Sequence, residues 1–160
     1  MSSLFRIPDA RRLSIGLSVL RLVLGFTFIM HGGQKLFVYG FSGVSAGFAQ
    51  IGIPMPGLLG PFVALVEFFG GIAIILGLLT RLAALGIAGD MVVAILAVHL
   101  KAGFFNPGGI EFPLALLGAA TTIAITGAGL YSVDAILDRR LSRRHAVQVE
   151  AAQADRRKAA

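Results

Sequence analysis

Four apolar stretches dominate the chain, separated by short segments rich in glycine, proline or charged residues. They cover residues 14–37, 58–79, 82–100 and 112–130, and each is between 19 and 24 residues long. A helix needs roughly 17–25 apolar residues to cross a bilayer. The pattern therefore predicts an all-α membrane protein, an antiparallel bundle of four transmembrane helices.

The breaks between these stretches contain clear turn signals. Only Thr80 and Arg81 separate the second and third stretches, which predicts a tight antiparallel hairpin. Residues 106–109 read Asn-Pro-Gly-Gly, a strong turn sequence, between the third and fourth. Pro113 then falls in the first turn of the last span, where its missing N–H is harmless.

The connection between the first and second spans has a helical pattern of its own. Val44, Phe48 and Ile51 recur at helical spacing, and the sequence Gly-Ile-Pro-Met-Pro-Gly at 52–57 stops any helix. We therefore expect a short helix on the membrane surface, followed by an extended turn.

Lysine and arginine are distributed unevenly around the predicted spans, which bears on orientation. Lys101 is the one basic residue in the loops on one side, and Arg21 and Lys35 lie within spans. Cytoplasmic segments carry the excess of basic residues, so both termini are expected in the cytoplasm. The other side holds 11 of the 14 basic residues: Arg6, Arg11, Arg12, Arg81, Arg139, Arg140, Arg143, Arg144, Arg156, Arg157 and Lys158.

The same pattern divides the chain into three parts. Residues 1–13 form a cytoplasmic N-terminal segment, 14–134 the four-span domain and 135–160 a charged cytoplasmic tail. The first span is too long and too polar for a secretory signal and lacks a cleavage site, so it is expected to stay attached. The tail has few groups to bury, and we expect a solvated helix or disorder.

Composition supports a membrane protein and excludes several kinds of chemistry. Hydrophobic residues make up 56% of the chain, charged residues 14%, and the mean hydropathy is +0.85. The net charge of +6 resides in short segments without interleaved aromatics, so nucleic-acid binding is not expected. Cysteine is absent, which excludes thiolate catalysis and cysteine-ligated iron–sulfur clusters. No histidine or carboxylate spacing is typical of a metal site, so neither metal nor haem is expected.

Ionisable side chains inside or at the rims of the spans are the main candidates for function. Charge at membrane depth is costly and usually marks a functional site or an internal clamp. Arg21 and Asp90 lie roughly 10 Å and 12 Å from the predicted cytoplasmic ends of their spans, which predicts a structural ion pair. The full set comprises Arg21, His31, Lys35, Glu67, Asp90, His99 and Glu111.

The remaining ionisable groups form an outer cluster. Glu67 is roughly 13 Å deep and His31 roughly 9 Å, while Lys35, His99 and Glu111 lie within about a turn of the outer surface. Small residues form stripes on the same helix faces as Lys35, Glu67 and Glu111. Transmembrane helices pack closely along such stripes. These stripes comprise Gly25 and Gly32 in the first span, Gly60 and Gly71 in the second, and Ala115, Gly118, Thr122 and Gly129 in the fourth.

One spacing conflicts with a single polar core. Asp90 and His99 are nine residues apart, so they point about 180° apart on a straight helix. If Asp90 faces the bundle centre, His99 needs either a distorted last turn or a partner subunit.

Five motifs in order resemble the DoxX family of small bacterial membrane proteins, and the resemblance runs from about Arg21 to Asp134. It implies a four-helix inner-membrane protein with a quinone-linked redox role, as a small subunit or anchor of an oxidoreductase complex. The motifs are His-Gly-Gly-Gln-Lys-Leu-Phe at 31–37, Glu-Phe-Phe-Gly-Gly at 67–71, Gly-Leu-Leu-Thr-Arg-Leu-Ala-Ala at 77–84, His99 followed by Gly-Phe-Phe at 103–105, and Glu111 before a leucine-rich span.

Together with membrane depth, this resemblance suggests roles for the outer cluster. His31 and Lys35 would bind and polarise a quinone head group, and Glu67 would pass the proton. His99, Phe104 and Glu111 would form the outer entrance to the quinone site. The lipid bilayer, a redox partner protein and a second copy of the chain are the expected contacts. Two alternatives stay open: a transporter of protons or a small solute, and a structural scaffold whose charges only hold the helices together.

Overall fold

The computed structural model describes residues 9–158, and within that range it is helical without a β-strand. Residues 1–8 of the predicted N-terminal segment and 159–160 of the predicted tail lie outside the described residues. The six α-helices are α1 (Ala10–Gly33), α2 (Gly40–Gln50), α3 (Pro56–Leu76), α4 (Thr80–Ala94), α5 (Glu111–Thr126) and α6 (Val133–Lys158). Wider π-helical turns follow α1 at Gln34–Tyr39 and α4 at Ile95–His99, and a 3₁₀ turn occupies Leu100–Ala102.

Three helical segments are long and apolar enough to cross a membrane: Ala10–Gln50, Pro56–Leu76 and Thr80–Ala102. The fourth apolar helix, Glu111–Thr126, has only 16 residues, so the predicted span at 112–130 was too long at its end. The helix stops because Gly127 (φ 82°) and Gly129 (φ 76°) adopt positive φ values outside the helical region.

Two other predicted boundaries were also wrong. The first helix begins at Ala10 and not at Ser14, because the Asp9 side chain accepts a hydrogen bond from the Arg12 amide and caps the helix. Thr80 and Arg81 belong to the first turn of α4. The preceding turn is made instead by residues 77–79, in which Gly77 and Leu79 are left-handed.

The predicted short helix between the first two spans is confirmed as α2. It starts at Gly40, whose φ of 65° and ψ of 170° interrupt the helical path, and packs its Val44 side toward α3. The turn after it is shorter than predicted, since α3 already begins at Pro56, a residue favoured in the first helical turn. Its location on the membrane surface stays a prediction.

Close packing of α1 on α3 depends on the predicted glycine stripes. A Cβ atom at Gly25 would lie 2.6 Å from the Gly71 carbonyl oxygen, and one at Gly71 would lie 2.7 Å from the Gly25 carbonyl oxygen. Gly32 approaches the Phe68 backbone equally closely. Small residues thus let the two backbones touch, as in other transmembrane helix pairs.

The buried face of α5 differs from the predicted one. The helix buries Pro113, Ala120 and Ile123, whereas Gly118 and Thr122 are exposed. Ala120 and Ile123 join the α4 residues Ile87 and Met91 in the core, so α5 packs against α4 on a different face from the predicted stripe. The Thr122 hydroxyl donates to the Gly118 carbonyl of its own helix, so it needs no neighbour.

The close α1–α3 approach gives a first testable prediction. We expect Gly71→Ala to lower the free energy of unfolding by about 1–3 kcal/mol, because the added methyl group meets backbone atoms that cannot move independently. Gly118→Ala is the matched control: nothing lies within 4 Å of the added Cβ, and replacing a helical glycine should be neutral or slightly stabilising. Thermal unfolding in mild detergent measures both, and equal melting temperatures would contradict the packing.

Candidate functional site

A cavity of about 270 Å³ lies between the helices, enclosed by residues of α1 to α5 and the two π-helical turns. Its wall is mainly apolar, and its polar groups come from five ionisable side chains. Such a combination is typical of sites for small apolar ligands. The lining residues are Phe28, His31, Lys35, Phe48, Ile53, Val63, Glu67, Asp90, Met91, Val93, Ala94, Val98, His99, Phe112, Pro113 and Leu116.

Lys35 and Glu67 form an ion pair in the wall of this cavity. Glu67 extends from the buried face of α3, with its side chain only 4% exposed, and its Oε2 atom accepts a hydrogen bond from the Lys35 ammonium. Lys35 lies in the π-helical turn after α1, with a side chain 22% exposed. Among the residues whose side chains the structure describes, this is the one salt bridge, and it joins α3 to the turn that follows α1.

Asp90 joins this pair from α4. It lines the same cavity as Lys35 and Glu67. The Oδ2 atom of Asp90 is buried and has no hydrogen-bond partner among the described residues. A buried polar atom without a partner is costly, so this oxygen is available to a ligand or a proton.

Two histidines line the same cavity as the ion pair. His31 is exposed and also borders a groove with Phe37 and Phe68. His99 Nδ1 lies 2.7 Å from the Gly108 carbonyl oxygen, which orients its ring.

The π-helical turn at Ile95–His99 explains how Asp90 and His99 reach one cavity. A π turn closes with i→i+5 hydrogen bonds and inserts extra chain into a helix, which shifts the direction of all later side chains. The distorted last turn, one of the two explanations that the spacing required, is the one observed. Such turns are frequent at functional sites.

Two predicted site residues lie away from the cavity lining. Glu111 is at the start of α5, and its Oε1 atom accepts a 2.7 Å hydrogen bond from the backbone N–H of Asn106. Phe104 is half exposed and packs edge-on against Phe105. Their neighbours Phe112 and Pro113 line the cavity instead, a contribution that the sequence pattern did not indicate.

The predicted ion pair between Arg21 and Asp90 does not form. The buried Arg21 guanidinium donates to the carbonyls of Ile74 and Ile75, at 2.9 and 2.8 Å, where α3 ends. It also donates to the carbonyls of Ala128 and Tyr131. The last carbonyls of a helix have no partners within it and carry negative charge, so they attract a cation. Arg21 thus ties the end of α3 to the loop after α5.

Asp134 is a structural residue that the sequence analysis missed. Its carboxylate accepts hydrogen bonds from the amides of Leu79 and Thr80, at 2.8 and 3.0 Å, and from the Thr80 hydroxyl. It therefore caps the start of α4, which has no cap from its own preceding residue. Burial opposes ionisation, but these bonds and the nearby Arg21 hold the pKa of the Asp134 carboxyl below its ordinary value. The sequence around Asp134 does not indicate this capping role, because the partner residue Thr80 lies 54 residues earlier in the chain.

Comparisons with known proteins identify a family and several relatives of this chain. The DoxX family model matches residues 16–100. The chain is 33% identical over 120 residues to "Putative oxidoreductase CatD" of Bacillus subtilis (strain 168), covering 75% of this chain and 85% of the relative. It is 34% identical to the Escherichia coli (strain K12) "Inner membrane protein YqjF", over 79% of this chain and 95% of the relative.

A third relative comes from another bacterial genus. The "Uncharacterized membrane protein Rv3486" of Mycobacterium tuberculosis (strain ATCC 25618 / H37Rv) is 34% identical, over 78% of this chain and 80% of that protein. No solved structure gives a significant match. The family match covers more than half of the chain, and three relatives match over most of their length. The chain belongs to the DoxX family of membrane proteins.

Proposed function

We propose that this protein is a small subunit or anchor of a quinone-linked oxidoreductase complex in the bacterial inner membrane. The observation that supports this most is the apolar cavity whose wall carries the Lys35–Glu67 ion pair together with Asp90. An apolar wall suits a ligand that partitions into lipid, and the charged groups suit a ligand that exchanges protons.

The size and chemistry of the cavity fit a quinone head group. Its volume of about 270 Å³ is just below the roughly 300–1,000 Å³ typical of ligand pockets, so a single ring fits better than a dinucleotide. Lys35 and His31 can each donate a hydrogen bond to a ring oxygen. The unpartnered Asp90 oxygen can accept one from a ring hydroxyl.

In this proposal a bound quinone supplies the capacity to accept two electrons and two protons. Lys35 and His31 orient and polarise the ring oxygen. Glu67 is a carboxylate while it is paired with Lys35, and it takes up a proton and passes it to the ring oxygen. The Nδ1–H of His99 donates to the Gly108 carbonyl, so the Nε2 atom of the neutral ring can accept a hydrogen bond from a ring hydroxyl.

The electrons must come from a partner. The chain contains no cysteine, and no group of three metal-ligating His, Asp or Glu side chains exists in the part of the chain that the structure describes. We therefore assign the electron donor to another protein of the complex. The name of the B. subtilis relative, "Putative oxidoreductase CatD", is consistent with such a role.

The membrane arrangement is part of the proposal. We infer that α5 is a fourth, short span that completes an antiparallel bundle of residues 14–134, with 1–13 and 135–160 as cytoplasmic segments. The uneven distribution of lysine and arginine supports both termini in the cytoplasm. The short Gly77–Leu79 turn supports antiparallel packing of α3 and α4.

A structural scaffold is the second candidate, and one contact favours it. The Lys35–Glu67 pair joins the α3 helix to the turn that follows α1, so it can hold helices together without any ligand. A scaffold would tolerate closure of the cavity, whereas a quinone site would not.

Closing the cavity separates these candidates. We expect Val98→Trp to weaken binding of decylubiquinone to the purified protein in nanodiscs at least about tenfold, because Val98 lines the cavity and the indole would occupy it. Val92→Trp is the matched control on the same helical segment, since Val92 is similarly exposed and does not line the cavity. Thermal unfolding confirms that both variants fold.

The binding titration has two outcomes that contradict the proposal. Absence of decylubiquinone binding to the wild-type protein would overturn the quinone site. Equal affinities for the two tryptophan variants would show that quinone binds elsewhere on the protein.

A further inference from the structure

The first half of α6 presents a helix face that no other helix covers. Ile136, Leu137 and Leu141 are 49%, 44% and 65% exposed, although α6 follows directly on the membrane-spanning part of the chain. No extensive packing joins α6 to α1–α5 in residues 9–158. Three large apolar side chains in solvent are unfavourable, so this face needs a partner.

Arginines share the apolar face of α6. At about 100° per residue, the apolar side chains at 133, 136, 137 and 141 span about 140° of the helix. Arg140 and Arg144 lie inside this arc, and no acidic residue does. Outside the arc, Arg143 and Arg139 flank one edge, and Asp134 and Asp138 flank the other edge at equal angles. The apolar side of the helix is therefore also the basic side.

Hydrogen bonds hold the first turns of α6 beside the start of α4 and the loop that follows α5. Asp134 binds the first turn of α4, and Arg139 donates at 3.1 Å to the Leu130 carbonyl in the loop that follows α5. These contacts fix the first turns of α6 to the ends of two apolar helices. The basic, apolar face thus begins where those helices leave the hydrocarbon.

We propose that residues 133–145 bind the surface of an anionic phospholipid bilayer. Leucine and isoleucine side chains would enter the boundary between headgroups and acyl chains, and Arg140, Arg143 and Arg144 would contact lipid phosphates. A basic amphipathic helix at a membrane interface binds in this way. The inference does not depend on the quinone site, because α6 contributes no residue to the cavity.

Cysteine labelling tests the proposal cleanly, because the chain has no cysteine of its own. A fluorophore on Leu141→Cys reports the apolar face, and the same fluorophore on Ser142→Cys reports the opposite side of the same turn. The full chain is placed, one copy per nanodisc, in phosphatidylcholine with or without phosphatidylglycerol. The lipids carry a nitroxide quencher at the headgroup level.

We expect strong quenching at position 141 and weak quenching at 142 in discs that contain phosphatidylglycerol. Adding Arg140→Gln and Arg144→Gln to the labelled chain should remove most of the difference, as should high salt or pure phosphatidylcholine. The Gln variants leave the Asp134 contacts in place, and an unchanged melting temperature confirms that the bundle is intact.

Three outcomes would overturn the proposal. Equal quenching at 141 and 142 would show that the face does not lie on lipid. Quenching at 141 that is independent of lipid charge would exclude recognition of anionic headgroups. A parallel measurement uses a water-soluble quencher and compares discs that hold one copy with discs that hold two. Protection of position 141 only in the two-copy discs would assign the face to a second copy of the chain.

Discussion

Arg21→Leu should be among the most destabilising single substitutions in this protein. The guanidinium is only 3% exposed and donates to four backbone carbonyls, at the end of α3 and in the loop after α5. Leaving buried acceptors without donors costs about 1–3 kcal/mol each, so we expect a loss of at least about 3 kcal/mol of unfolding free energy. Thermal and denaturant unfolding in mild detergent measure it.

Two further variants separate this role from a simple charge effect. Arg21→Lys keeps the charge but cannot reach four acceptors from one atom, so it should recover only part of the stability. Arg12→Leu removes an exposed arginine from the same helix and should have little effect.

The double variant Arg21→Leu, Asp90→Leu tests the observed geometry against an ion pair. Removing both members of an ion pair costs less than the sum of the two single changes, but these side chains have different partners, so the effects of the two single variants should add. A double variant clearly more stable than that sum would show that Arg21 and Asp90 do meet.

Features of the fold that depend on local pattern were predictable from the sequence. Length and hydropathy indicated the spanning helices at Pro56–Leu76 and Thr80–Ala102 to within a few residues. The period of Gly60, Glu67 and Gly71 correctly placed all three on the buried face of α3, because helical periodicity and close packing act on the same residues.

Other features depend on interactions that no local pattern contains. The π-helical turn that brings His99 to the cavity has no simple sequence signature, so a straight helix placed Asp90 and His99 on opposite sides. Depth alone paired Arg21 with a carboxylate, whereas helix-end carbonyls satisfied it just as well. On α5, a stripe of small residues indicated one packing face, but the helix buries another face, which carries Pro113, Ala120 and Ile123.

Glu67→Gln should abolish quinone-linked electron transfer while leaving the protein folded. Glutamine keeps the shape and can still accept a hydrogen bond from Lys35, but it cannot take up or release a proton in the way a carboxylate does. Proton transfer by a positioned side chain contributes about 10²–10⁴-fold to a rate, so we expect a loss of at least about 100-fold. The measurement is quinone-dependent dye reduction by membranes that contain the variant and its native partners.

A companion pair of variants distinguishes a proton-transfer role from a structural role for Glu67. Glu67→Ala leaves the Lys35 ammonium without its partner and should destabilise the fold, and adding Lys35→Met should restore much of that stability, since the buried charge is then gone. The restored double variant should still be inactive if Glu67 carries the proton. Wild-type activity in Glu67→Gln or in the double variant, at equal amounts of folded protein, would refute the proton-transfer role. The Lys35–Glu67 pair would then serve to hold α3 against the turn that follows α1.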